Sequence, residues 1–227
     1  KLYHLNCFFE IIDFKIVNIP KKNDLKYFYV GDEDIRFFPW KDHIHFIGTT
    51  FINDSTKTKI CVGVGETTDI QQEQDIVLQP IYRCSFPLEQ CEKNWVYCPF
   101  KNKLHILYKW FPLQICYLNG STLKLIKEIE MPNLFKLIRG SSCGFVKENE
   151  IWFITHVVSH ETPRNYYHVF VVFDLEMNLL RYTSLLKFSD KPIEYVLSIV
   201  VTDNTVIIPY SIMDGQTKLA TFDKEYI

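Results

Sequence analysis

No basic stripe runs through this sequence. Its densest cationic pair is Lys21-Lys22, and 25 Lys and Arg stand against 27 Asp and Glu in 227 residues. A nucleic-acid binder concentrates positive charge against phosphates, so no such partner is expected. No Cys-x-x-Cys pair occurs among the seven cysteines, and their number is odd. Several lie in apolar runs ("KICVGV", "LQICYL"), where a free thiol behaves as a small hydrophobe. A disulfide framework or zinc site is therefore not expected, and a reducing compartment such as the cytoplasm fits better. No apolar run approaches the roughly 18 residues of a membrane helix, and the N-terminus lacks the layout of a signal peptide. An initiator Met is missing too, so the chain reads as a fragment of a longer protein, with residues 1–227 forming one domain.

Helical periodicity is also scarce. What the chain does have is 47% apolar residues and 15% aromatics, with 18 Phe and 13 Tyr, a composition that favours strands. Short alternating runs recur between Asn, Asp, Gly and Pro clusters. Four of them align: "KDHIHFIGTT" from Lys41, "KNKLHILYKW" from Lys101, "ENEIWFITHV" from Glu148 and "TDNTVIIPYS" from Thr202. Their first branched aliphatics, Ile44, Leu104, Ile151 and Val206, are separated by 60, 47 and 55 residues. That is the repeat of propeller blades with loop insertions. Each run is preceded by one apolar strand ("IRFFPW", "WVYCPF", "SCGFVK", "YVLSIVV") and followed by another ("TKICVGVG", "LQICYLNG", "YHVFVVFD", "TKLATFDK"). In three cases a fourth strand follows. Residues 1–30 add strand material for part of a further unit. The expected fold is all-β, a five-bladed β-propeller of four-stranded antiparallel blades with one blade incomplete, against the alternative of stacked β-sandwiches.

In a propeller the first strand of each blade lines the axis, so its entrance faces the other entrances. Here the entrances carry Asp32 to Arg36, Glu92 to Asn94, Arg139 to Ser142, and Glu194 with Tyr195. Ordinary turns favour Gly, Asn, Asp and Ser, whereas these hold Arg, Lys and Glu beside bulky aliphatics. The expectation is a shared charged funnel suited to a sugar, with Trp95, Trp110 and Tyr195 as flat apolar faces. Asp34, Glu92, Glu194 and Asp214 are the candidate catalytic carboxylates. Glu33, Arg36, Lys93, Asn94, Trp95, Arg139, His156, Tyr167 and His168 are the candidate substrate-binding residues. Each of these also has a plainer reading: a core histidine for His156 and His168, a turn residue for Asp214. His43 and His45 sit two residues apart, but no third ligand is readable. No metal or other cofactor is expected.

"EDIR" at 33–36, "EKNW" at 92–95, "RGSSCGF" at 139–145, "WFITHVV" with "YYHVFVVFD", and "YSIMD" at 210–214 follow one order. Together they resemble five-bladed propeller carbohydrate enzymes, the inverting β-mannoside phosphorylases and the mannosyltransferases that share their fold. The resemblance covers residues 31–227. It implies that Glu33, Asp34 and Arg36 form the first family motif, with Ile35 where Pro is usual. Lys93 matches the Lys of the second motif, and Asn94 stands where the family carries a catalytic Asp. His156 matches the anion-binding His, Tyr167 the Tyr after it and Asp214 the late Asp, with Ser211 replacing the Gly before it. An amide cannot act as a general acid, whereas a phosphate leaving group departs without one. Sugar transfer from a sugar phosphate or nucleotide sugar is therefore preferred to hydrolysis, and Glu92→Gln, Asp34→Asn and Arg139→Ala are each expected to abolish it. The alternatives are a glycan-binding propeller without turnover and a protein-interaction propeller.

Overall fold

Alternation of side chains along extended backbone decides this fold, and it is plainest in the last long strand. The computed structural model of the chain describes residues 2–6, 8–15, 32–53, 58–68, 78–81, 83–89, 91–120 and 122–227. A two-stranded sheet comes first, β1 (Leu2–Leu5) with β2 (Ile11–Lys15). Blade 1 is built from β3 (Glu33–Trp40), β4 (His43–Asn53), β5 (Thr58–Thr67) and β6 (Gln79–Pro80). The short β7 (Arg83–Cys84) then crosses to the outer edge of blade 2, whose strands are β8 (Val96–Phe100), β9 (Lys103–Trp110), β10 (Leu113–Asn119) and β11 (Thr122–Ile129). Blade 3 holds β12 (Arg139–Gly140), β13 (Phe145–Lys147), β14 (Glu150–Ser159), β15 (Asn165–Asp174) and β16 (Leu179–Tyr182). Blade 4 holds β17 (Glu194–Val196), β18 (Val200–Val201), β19 (Thr205–Ile212) and β20 (Gln216–Asp223). Apart from the β7–β11 edge, the pairings within these sheets are antiparallel.

The parity of each strand says what it packs on. In β19 Val206, Ile208, Tyr210 and Ile212 are buried and the intervening residues are half-buried, as expected where one face meets a neighbour. The middle strands of blade 3 are buried on both faces. Their odd-numbered residues, Ile151, Phe153, Val169, Val171 and Phe173, join the core shared with blades 1 and 2. Their even-numbered residues, Trp152, Ile154, Phe170 and Val172, join the core shared with blade 4. Fully burying each such side chain contributes about 1.5–3 kcal/mol.

The blades number four among the described residues, not five. The higher count rested on residues 1–30. Their described part is only the β1–β2 pair, where Phe8, Ile11 and Ile12 are exposed rather than packed into a blade; residues 16–31 lie outside the described residues. Blades 1 to 3 reach four strand positions, while blade 4 ends after β20 in a short 3-10 turn, Lys224–Tyr226.

The innermost strands of blades 3 and 4 are each split, and the split positions the site. Between β12 and β13 the Ser142 amide donates to the Ile154 carbonyl at 3.0 Å, and the Ser142 hydroxyl accepts from the Ile154 amide at 2.9 Å. The Gly144 amide crosses to the Tyr97 carbonyl of blade 2 at 2.9 Å. This detour leaves the Ser141 carbonyl outside the ladder, where it accepts from the Arg36 Nε of blade 1. Gly140 is needed for the close approach: a Cβ there would stand 2.4 Å from the Asn94 carbonyl oxygen.

Candidate active site

Three blades meet at one hydroxyl, and the fourth joins them through Arg36. Tyr195, at the start of the inner strand of blade 4, takes a hydrogen bond from Arg36 Nη2 of blade 1 at 2.8 Å. Its oxygen also lies 3.2 Å from Asp34 Oδ2 and 3.1 Å from Asn94 Oδ1 of blade 2. One O–H proton cannot serve both acceptors. Ionised Asp34 can only accept, so the network is satisfied when the hydroxyl donates to Asp34 and the Asn94 amide nitrogen faces the hydroxyl. Burial pushes the Tyr195 phenol up, so it stays protonated. Blade 3 closes the ring through Ser141, whose carbonyl binds Arg36 and whose hydroxyl is 2.8 Å from His156 Nδ1.

Backbone strain marks the same place. Asp34 and Asn94 both have left-handed φ angles, 53° and 64°. Asn and Asp tolerate that region better than other L-residues, and its cost of about 1–3 kcal/mol is accepted mainly where function or turn geometry demands it. The left-handed turn at Asp34 aims its carbonyl at Arg36 Nη1, 2.7 Å away. At position 94 the amide side chain thus has a conformational reason as well as a chemical consequence.

The cup is cation-rich. Arg36 is only 2% exposed and bonds to two carbonyls and a phenol, with no carboxylate within salt-bridge distance among the described residues. Lys93 and Arg139 are exposed at its rim. Burial lowers the pKa of His156 well below its usual value, and the charges of Arg36, His168, Arg139 and Lys93 press it the same way, so the ring is neutral. It stacks on Tyr166 at 6.0 Å and meets the edge of Tyr195 at 5.3 Å. On the acidic side, burial raises the pKa of Glu33, the charge of Asp34 adds to the rise, and Lys93 opposes it.

The sequence-derived candidates divide sharply. Asp34, Arg36, Asn94 and His156 come together, with Glu33, Lys93 and Arg139 around them. Glu92 is instead buried and accepts from the Glu89 amide at 2.6 Å, the Tyr108 hydroxyl at 2.9 Å and the Trp95 indole at 3.2 Å. Glu194 is sealed too, taking bonds from the Phe188 amide at 2.9 Å and from the Ser189 hydroxyl. His168 is buried against Phe188 at 4.5 Å, with its Nε2 3.6 Å from Glu194. These three groups hold the blades rather than face a ligand. Asp214 lies exposed on the tight turn between β19 and β20, with φ 52° and no hydrogen bond to the cup. Trp95 and Trp110 are buried core rings and not open faces for a sugar. Tyr167 has the parity of Val157 and packs on the core of blades 1 to 3, whereas Tyr166 shares the face of His168 and His156. Tyr166, Ser141 and the hydroxyl of Tyr195 were the members that sequence reasoning missed; strand parity around His168 was the available signal for the first.

Because Glu92 is saturated by protein donors, Glu92→Gln is expected to cost about 1–3 kcal/mol in urea unfolding and to leave ligand affinity at the cup unchanged. This revises the expectation that the same substitution abolishes turnover.

His43 and His45 both approach Glu66, at 3.9 and 3.4 Å, but no group of three His, Cys, Asp or Glu among the described residues is placed to hold a metal. Cys84, Cys91, Cys98, Cys116 and Cys143 carry free thiols. Burial pushes Cys84 and Cys143 up to about 11 and Cys116 up to about 12, which leaves them poor nucleophiles. No described helix is long and apolar enough to cross a membrane.

No protein-family model matches the sequence, and no curated protein matches it. Solved structures do match. A β-1,2-mannobiose phosphorylase from Listeria innocua, in complex with β-1,2-mannobiose, aligns with TM-score 0.62 at 13% identity over 87% of this chain and 60% of its own. A GDP-Man-dependent mannosyltransferase from Leishmania mexicana aligns with TM-score 0.61 at 14% identity over 87% and 70%. A mannose phosphorylase from Leishmania mexicana, in complex with phosphate ion, aligns with TM-score 0.53 at 12% identity over 88% and 70%. The chain thus spans about 60% of the Listeria protein. At such identities the likeness is one of architecture, and the chain has the β-propeller fold of these carbohydrate-active proteins.

Proposed function

We propose that this chain is a carbohydrate-active protein that transfers a glycosyl group from a phosphate-bearing donor, with the cup around Tyr195 as its active site. The observation that carries the reading is Arg36: a buried guanidinium held by carbonyls and a phenol, without a carboxylate, beside Lys93, Arg139 and a neutral His156. A buried cation lacking a protein counter-ion suits an anionic ligand. Of the three similar proteins named above, one is a β-1,2-mannobiose phosphorylase, one a GDP-Man-dependent mannosyltransferase and one a mannose phosphorylase in complex with phosphate ion, which supports a mannosyl donor here.

In such a step the acceptor hydroxyl attacks the anomeric carbon, the bond from that carbon to the phosphate oxygen breaks, and the electron pair leaves on phosphate. Arg36, Arg139 and Lys93 stabilise the departing charge. The acceptor proton goes to Asp34, with Glu33 beside it. Since phosphate leaves without a strong acid, Asn94 is compatible with this reaction and would not be with a hydrolase that protonates its leaving group at that position. Turnover of mannose 1-phosphate and GDP-mannose by the intact chain tests the reading. Asp34→Asn and Arg139→Ala should each lower the rate at least about a hundredfold with the thermal transition unmoved; full activity in both would end it. A second reading, glycan binding without turnover, is favoured by Asn94 together with the sealed state of Glu92 and Glu194, and predicts ligand protection of the fold with no product.

A further inference from the structure

Beside the cup, blades 2 and 3 enclose a groove of about 560 Å³ that shares Lys93, Asn94 and Arg139 with it and runs on to Lys109, Trp110, Phe111 and Lys136. Its charged side chains are the cations Lys93, Lys109, Lys136 and Arg139 and the carboxylates Glu89 and Glu92. Lys93, Lys136 and Arg139 form no salt bridge among the described residues, whereas Lys109 is paired with Glu89 at 3.0 Å. Its carboxylates are engaged by protein donors: Glu92 takes three hydrogen bonds from within the protein, and Glu89 holds Lys109. One donor is unspent. Trp110 is 4% exposed, and its indole Nε1 has no hydrogen-bond partner. That nitrogen packs at Gly140, a residue of the groove lining, where an added Cβ would come within 3.3 Å of it. Leaving a buried N–H unmet is costly, so the position asks for an acceptor.

Flat faces for a neutral sugar are lacking. Trp95 and Phe135 are sealed in the core, and Phe111 is covered by the Lys136 ammonium at 4.8 Å. Saccharide hydroxyls carry no charge and would leave Lys93, Lys136 and Arg139 without a counter-ion. Phosphate oxygens only accept, and three uncompensated cations match the charge of a diphosphate.

We infer that the groove between blades 2 and 3 is a second anion site, binding the diphosphate of a donor whose sugar lies in the cup, through Lys93, Lys136, Arg139 and the Trp110 N–H. The inference rests on the transfer reading for what the diphosphate is attached to, and on the groove alone for the anion site itself. It differs from the cup in its ligands: Lys136 and Trp110 belong to the groove, Arg36 to the cup.

Calorimetric titration of the full chain with inorganic pyrophosphate tests it. Lys136→Met, at an exposed position, and Trp110→Phe, which keeps an aromatic ring and removes the N–H, should each weaken pyrophosphate binding about tenfold. Arg36→Met should weaken it less than about threefold, since that cation lies in the cup. Absence of pyrophosphate binding, unchanged affinity in Lys136→Met, or loss only in Arg36→Met would overturn the inference. If the groove substitutions weaken pyrophosphate while no donor is turned over, the anion site stands and the transfer reading falls. If donors are turned over while Lys136→Met binds pyrophosphate normally, the transfer reading stands and the second site falls.

Discussion

Arg36→Met is expected to lower donor turnover by at least about a hundredfold while moving the thermal transition by only a few degrees. The two effects separate because Arg36 contributes little net stability for its charge. Its guanidinium is desolvated without a carboxylate, and replacing a buried ion by an apolar chain of similar length is often neutral or stabilising. Against that gain stand the Ser141 and Asp34 carbonyls and the Tyr195 hydroxyl, which lose the Arg36 Nε, Nη1 and Nη2 donors; each acceptor left buried and unsatisfied costs about 1–3 kcal/mol. Catalytically nothing replaces it, since Lys93 and Arg139 sit at the rim and the neutral His156 ring supplies no charge. Rates on mannose 1-phosphate beside a thermal melt read both quantities. Unimpaired turnover would remove the cup from the reaction.

Glu194→Gln should have the largest effect on stability, about 3 kcal/mol at neutral pH, and should change the shape of the pH–stability curve. Burial alone would raise the carboxyl's pKa; the nearby His168 ring and the bonds from Ser189 and the Phe188 amide outweigh it and hold the group below its usual 4.5. A carboxyl whose folded pKa is depressed stabilises fully above the unfolded value and loses that contribution as pH falls through the folded value. His156 acts at higher pH. Its folded pKa lies below 6.5, so from about 6.5 downward the unfolded chain takes a proton that the folded chain refuses, and stability falls. The wild-type chain should therefore lose stability in two stages, one below 6.5 and one below 4.5. Glu194→Gln should keep the upper stage and flatten the lower one, as urea midpoints between pH 3.5 and 8 would show. A wild-type curve without the lower stage would mean that Glu194 is not held ionised in the fold.

Much of the architecture was legible because a strand announces itself locally. Ile44, Leu104, Ile151 and Val206 each fall at or just past the start of the second strand of a blade, and the polar runs before the inner strands do converge, on Tyr195. The blade count was less legible: strand-like composition in residues 1–30 does not say whether those strands pack as a blade. Tyr167 was chosen over Tyr166 although only one of two adjacent strand residues can face His156. Ser141 lies within the Arg139 to Ser142 entrance but nothing singles it out in sequence, since its role belongs to a carbonyl freed by a break in the strand.

The strand period, the repeated unit and the gathering of charged entrances at one end can be read from local pattern, because alternation and turn chemistry act between residues close in the chain. Which charges stay available depends on packing between blades. Glu92 and Asp34 look alike in sequence, but Glu92 is saturated by Tyr108, Trp95 and the Glu89 amide, whereas the Asp34 carboxylate accepts one hydrogen bond among the described residues, from the Tyr195 hydroxyl of blade 4. Whether a carboxylate is sealed or free depends on how many donors the packing brings to it. For Asp34 and Arg36 the decisive partner stands about 160 residues away, at a separation of 161 or 159 positions.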